Sequence, residues 1–80
     1  MEIQLLFFGI TTDLVGEKSM SLNVIDNTSI TELKRILMTR FSALKNIHDF
    51  AIAVNEDYAE DELIIKNGDV VAIIPPVSGG

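Results

Sequence analysis

Asn67-Gly68-Asp69-Val70-Val71-Ala72-Ile73-Ile74-Pro75-Pro76-Val77-Ser78-Gly79-Gly80 is the stretch from which the architecture follows. Asn67-Gly68 supplies the positive backbone angles of a tight turn. Asp69 to Ile74 then reads as a strand, and it is apolar at odd and even positions alike. A strand hydrophobic on both faces suits the centre of a sheet. Pro75-Pro76 ends it, because neither residue donates a ladder hydrogen bond. The last strand is therefore expected in the middle, with earlier elements on both sides of it.

Working outward, Glu2 to Gly9 reads as another strand, with Ile3, Leu5 and Phe7 on one face and Gln4, Leu6 and Phe8 on the other. Thr11 to Gly16 reads as a turn or loop. In Lys18 to Ile25, Met20, Leu22 and Val24 alternate with Ser19, Ser21 and Asn23, the pattern of a half-buried strand. Ser29-Ile30-Thr31-Glu32 matches a capping box, with Thr28 as the alternative cap. Ile30, Leu33, Leu37, Phe41 and Leu44 follow at helical spacing, and Lys34, Arg35 and Arg40 face water. Phe50 to Asn55 is a short apolar strand. Asn55 to Glu62 reads as polar, acidic and irregular apart from Tyr58. Leu63-Ile64-Ile65 returns to apolar residues as a helical turn or a small strand.

The order is strand, strand, helix, strand, a short element, strand. It predicts an α+β protein with a mixed sheet and one main helix packed on one face, the β-grasp or ubiquitin-like architecture. The expected organisation is one β-grasp domain over residues 1–76 and a flexible Gly-Gly tail over 77–80.

Composition narrows the functional classes. At 80 residues there is room for one domain. Twelve acidic against six basic residues, a net charge of -6, argue against nucleic acid and anionic membranes, both of which need clustered Lys and Arg. An acidic body is compatible with steering toward a basic partner. With no cysteine, disulfides and thiolate metal sites are excluded. Met1-Glu2-Ile3-Gln4 lacks the basic start and apolar run of a signal peptide, so a soluble, cytoplasmic protein is expected. His48 beside Asp49 makes neither a triad nor a metal site. Glu56-Asp57 and Glu60-Asp61-Glu62 lack the glycine and spacing of a calcium loop, so no metal is expected. No nucleophile–base pair or phosphate loop stands out, and no catalysis is expected of the chain alone.

Chemistry concentrates in the tail. Pro75 and Pro76 stiffen the exit in an extended form, and Gly79 and Gly80 remove every side chain near the end. Such a segment can thread a narrow channel in another protein, and the reactive atom would then be the Gly80 carboxyl carbon. A carboxylate is a poor electrophile; adenylation makes it a mixed anhydride, and a sulfur nucleophile that displaces AMP leaves a thiocarboxylate. A terminal Gly-Gly alone is often a frayed end; it is the Pro-Pro exit and the ubiquitin-like order that give it meaning.

Asn67 to Gly80, together with Leu5-Leu6-Phe7-Phe8-Gly9 and Ala53-Val54-Asn55, resembles the small, sulfur-carrier subunit of molybdopterin synthase within the ubiquitin-like sulfur-carrier family. The resemblance implies a non-catalytic sulfur-donor subunit of a transferase. An ATP-dependent activating enzyme would adenylate Gly80, and a sulfur donor protein would convert it to the thiocarboxylate. Pro75, Pro76, Val77, Ser78 and Gly79 would thread the active site of the large catalytic subunit. That subunit would bind a cyclic pterin monophosphate and receive sulfur for the dithiolene of the molybdenum cofactor. The family also implies a heterotetramer and no stably bound cofactor in this chain.

For the partner interface, strand alternation puts Phe8 and Ile74 on the face away from the helix, and Tyr58 is a lone aromatic in the acidic loop. Phe8, Tyr58 and Ile74 are expected to form an exposed apolar patch near the tail, at positions where the resemblance also places partner contacts. The competing reading puts Phe8 and Ile74 in the core. Three other uses of the fold stay open: a thiamine-pathway sulfur carrier, a modifier joined to lysines through Gly80, and an interaction module with an inert tail. The Pro-Pro-Val-Ser lead-in and the length favour the molybdopterin branch.

Overall fold

A computed structural model describes residues 1–46 and 50–76. The elements in chain order are β1 (Glu2–Phe7), α1 (Ile10–Val15), β2 (Ser19–Asn23), α2 (Ile30–Arg40), a 3₁₀ turn (Ser42–Asn46), β3 (Ala51–Val54), β4 (Asp57–Tyr58) and β5 (Val70–Ile74). One sheet runs in the order β2-β1-β5-β3-β4. The doubly apolar β5 lies at its centre, parallel to β1 and antiparallel to β3. This is the β-grasp order, with α2 across one face. Among the described residues, no helix is long and apolar enough to cross a membrane.

Alternation decides which side chains meet the helix. Ile3, Leu5 and Phe7 of β1 and Val71 and Ile73 of β5 are all buried, beside Leu22 of β2 and Ile52 of β3. Against them α2 lays Ile30, Leu33 and Leu37, each fully buried. The helix starts at the expected cap: the Ser29 hydroxyl accepts from the Glu32 N–H at 3.2 Å, and the Glu32 carboxylate accepts from the Ser29 N–H at 3.3 Å. It ends at Phe41, one residue short of a serine, and continues as a 3₁₀ turn. The apolar face survives the change: Leu44 is fully buried, and Phe41 meets Phe7 edge-to-face at 5.9 Å.

Two segments depart from the sequence reading. Thr11 to Gly16, expected as a turn or loop, lies within the helix α1 and its cap. Gly9 (φ 55°) turns the chain off β1, and Gly16 (φ 86°) closes the helix in the left-handed conformation. Six residues without a capping side chain carry almost no local helix signal; the fold supplies it through Leu14 and Val15, which pack on the core. Asn55 to Glu62, expected as irregular, contains the edge strand β4. Asn55 (φ 51°) and Glu56 (φ 75°) form a two-residue reversal that pairs Ala53 with Tyr58. Glutamate is a poor turn residue, which hides the hairpin. Asn55 is held in place by its side chain, whose oxygen accepts from the Val70 N–H at 3.0 Å.

Of the apolar stretch 63–65, Ile65 is buried, while Ile64 forms an isolated bridge to Ser29. At the Asn67-Gly68 turn only Gly68 takes a positive φ, 84°. The turn sits against β1, where the Gly68 N–H donates to the Glu2 carbonyl at 2.8 Å.

Candidate functional site

The face of the sheet opposite α2 has no covering layer among the described residues. Register lines up Ser19, Leu6, Ala72, Ala53 and Tyr58 across all five strands. Small alanines at the middle of this row leave a hollow of about 350 Å³, whose lining includes Leu6, Phe8, Ala53, Tyr58, Val70, Ala72 and Ile74. Phe8 is 49% exposed and Tyr58 75%, whereas Ile74 is half-buried. The three residues expected at an interface are thus brought around one hollow, although 50 and 16 residues of chain separate Phe8 from Tyr58 and Tyr58 from Ile74. Exposed aromatics over an apolar floor are a composition enriched at interfaces.

The hollow has an acidic side. Glu56 lines it, and Asp57, Glu60 and Glu62 border the adjoining depression next to Tyr58. On the far side Phe8 borders a second depression with Lys18. Lys34 of α2 reaches Asp61 at 3.3 Å, which ties the acidic loop to the helix; exposed pairs of this kind contribute up to ~1 kcal/mol. Among the described residues no group of three or more His, Asp or Glu side chains is placed to hold a metal ion.

At the rim of the hollow lies the root of the tail. Ile74 is the last residue of β5, Pro75 is half-buried and Pro76 exposed. Pro75 rests on Gly9: a Cβ added at Gly9 would stand 3.0 Å from the Pro75 Cγ. The absent side chain at Gly9 makes room for the proline ring, and the tail leaves beside Phe8. The expected roles of Val77, Ser78, Gly79 and Gly80, like the reading of His48, fall on residues outside those described.

Sequence reasoning passed over several contributors. Leu6, Ala53, Val70 and Ala72 line the hollow, and strand parity is the signal for them, since it puts Leu6 on the face of Phe8 and Val70 and Ala72 on the face of Ile74. Thr11 is the other. It is fully buried, and its hydroxyl accepts from the Phe8 N–H at 2.9 Å and donates to the Phe8 carbonyl at 2.5 Å. Nothing in Ile10-Thr11-Thr12-Asp13 distinguishes a buried threonine from an exposed one.

Comparison with known proteins gives this geometry a setting. The chain is similar to the molybdopterin synthase sulfur carrier subunit of Caenorhabditis briggsae, 32% identical over 83 residues that span 100% of this chain and 99% of that protein. It is similar in structure to a chain in the protein–protein complex of subunits 1 and 2 of the molybdopterin-converting factor from Helicobacter pylori, with a TM-score of 0.71, 30% identity and 100% of both chains covered. Small archaeal modifier protein 1 of Haloferax volcanii shares the fold, with a TM-score of 0.83 at 16% identity over 95% of this chain and 98% of that one. The model of the ThiS family matches residues 5–80. With that match across nearly the whole sequence and full-length relatives at this level of identity, the chain belongs to the ThiS family.

Proposed function

We propose that this chain is the sulfur-carrier subunit of a molybdopterin synthase. The observation that carries the reading is the whole-length likeness to a carrier subunit, 32% identical over 100% of this chain. The uncovered apolar face at the root of the tail supports it, because a carrier must be gripped by its body while its end is presented elsewhere.

In this reading the Gly80 carboxylate attacks the α-phosphorus of ATP on an activating enzyme. Pyrophosphate leaves, and an acyl-adenylate remains. A sulfur nucleophile at the oxidation level of sulfide then attacks the acyl carbon, and AMP departs with the bonding electron pair. One carboxylate oxygen has been replaced by sulfur. A large catalytic subunit covers Phe8, Tyr58 and Ile74 and admits residues 75–80 into its active site. There the sulfur passes to a cyclic pterin monophosphate that the large subunit holds, and water restores the carboxylate. The body of this chain supplies grip and aim, and no acid or base.

Intact mass spectrometry tests this directly. After incubation with ATP, an activating enzyme and a sulfur donor, the mass rises by the exchange of one oxygen for one sulfur. Deleting Gly79 and Gly80 abolishes the shift. An unchanged mass, with the activating enzyme shown competent on another carrier, refutes the reading. Adducts on lysines of other proteins in place of the thiocarboxylate would establish a modifier instead.

A further inference from the structure

We propose that Thr11 is a positioning residue for the tail: from inside the core it locks the loop that carries Phe8 and Gly9, and so sets the angle at which Pro75 leaves the sheet. The inference rests on the sulfur-carrier reading, in which the tail must enter an active site while Phe8 docks on the same partner.

Ladder hydrogen bonding between β1 and β5 extends to the Phe7–Ile73 pair. Beyond Ile74 neither Pro75 nor Pro76 has an N–H, so no strand bond can direct the chain. The direction is left to the proline backbone and to what the first ring touches. That contact is Gly9, where even a Cβ would come within 3.0 Å of the Pro75 Cγ. Gly9 itself holds φ 55° and ψ -135°, a conformation other residues rarely adopt, so the loop needs restraint from elsewhere.

Thr11 supplies that restraint. Its hydroxyl is joined to the Phe8 N–H at 2.9 Å and to the Phe8 carbonyl, and the Ile73 carbonyl of β5 lies 3.3 Å away. One buried oxygen therefore links the docking residue Phe8 to the strand that becomes the tail. The Phe8 N–H has a second acceptor in the Ile73 carbonyl, but at 3.3 Å it is the longer bond. Thr12 braces the same loop from outside, its hydroxyl donating to the Phe7 carbonyl at 3.0 Å. Without the Thr11 hydroxyl the Phe8 N–H would keep only its 3.3 Å bond to Ile73. The local backbone bonds from the Thr11 N–H to the Phe8 carbonyl and from the Thr12 N–H to the Gly9 carbonyl, each 3.1 Å, would still shape the loop, but no side chain would tie it to β5, and Gly9 and Pro75 would shift together more easily. Such a shift is magnified outward. The stiff Pro75–Pro76 segment spans ~7 Å, so a turn of ~10° at the root moves its end by ~1 Å. A misplacement of ~1 Å is enough to cost up to ~100-fold in rate.

The test compares Thr11→Val, which keeps the branched shape, with Thr11→Ser, which keeps the hydroxyl. Single-turnover sulfur transfer from the thiocarboxylated chain is measured at saturating large subunit, alongside the dissociation constant of the same complex. Expected is a loss of about tenfold or more in the saturated rate for Thr11→Val, exceeding its loss in affinity, with Thr11→Ser restored to near the wild-type rate. A Thr11→Val rate equal to wild type, or a serine variant as slow as the valine, overturns the inference and leaves the sulfur-carrier reading standing. A wild-type chain that is never charged overturns that reading and the inference with it. NMR of the wild-type protein gives an answer even if Thr11→Val does not fold: a slowly exchanging Thr11 hydroxyl proton and a Gly9–Pro75 nuclear Overhauser effect are required, and the absence of either refutes the proposal.

Discussion

Truncating Phe8 separates a docking side chain from a core one. About half of Phe8, 49%, is accessible in the free chain. A phenylalanine presents roughly 200 Å² in all, so ~100 Å² is left for a partner to cover. At ~25 cal/mol per Å² that is ~2.5 kcal/mol, of which alanine retains a little. Phe8→Ala should therefore weaken the complex with the large subunit by ~2 kcal/mol, or ~30-fold in Kd. Stability should change less. The ring lies on the open face, so its removal leaves no sealed cavity, and a loss of ~1 kcal/mol corresponds to ~4–8 °C in Tm for a domain of this size. Isothermal titration calorimetry with the large subunit reads the first quantity and a thermal melt the second. A Kd unchanged within about twofold would refute the docking role. A fall in Tm beyond ~15 °C would put the ring in the core and refute the geometry.

Other perturbations test the scaffold beneath this face. Leu37 is fully buried between α2 and the sheet, so Leu37→Ala should cost about 2–5 kcal/mol in a urea or thermal melt; a loss under ~1 kcal/mol would mean that α2 is not packed as described. Ser29→Ala breaks the capping box at the start of α2 and should cost ~1 kcal/mol, read as a lower denaturation midpoint with an unchanged slope.

How much was legible in advance depended on how local the cause was. Three kinds of element could be read from residues alone. The capping box needs only the Ser29 and Glu32 side chains, three residues apart. The parity of β1 and β5 follows from the alternation of a strand. Apolar residues at both parities pointed to the central place of β5, although the second set, Val70, Ala72 and Ile74, lines the hollow on the open face and not a second core layer. Two elements were hidden. α1 is too short to form by its own propensity, and the one bond of Thr11 that reaches outside the loop, to the Ile73 carbonyl, depends on β5 lying alongside. β4 is two residues long and its reversal carries a glutamate, so pairing with Ala53 and Val54 is what defines it.

The residues at the candidate site divide along the same line. From the sequence by itself came the tail as the expected seat of chemistry, the resemblance of its Pro-Pro-Val-Ser-Gly-Gly end to sulfur carriers, the shared face of Phe8 and Ile74, and the choice of Tyr58 as the aromatic that joins them in an exposed patch. Each of these rests on residue identity or on the two-residue period of a strand. Only the tertiary structure decided that Leu6, Ala72, Ala53 and Tyr58 stand in one row, that Gly9 seats Pro75, and that a buried threonine ties Phe8 to β5. Those are contacts between residues up to 66 positions apart, as Leu6 is from Ala72 and Gly9 from Pro75. No local pattern encodes them, because strand register and a glycine's missing side chain acquire meaning only when the distant segment arrives.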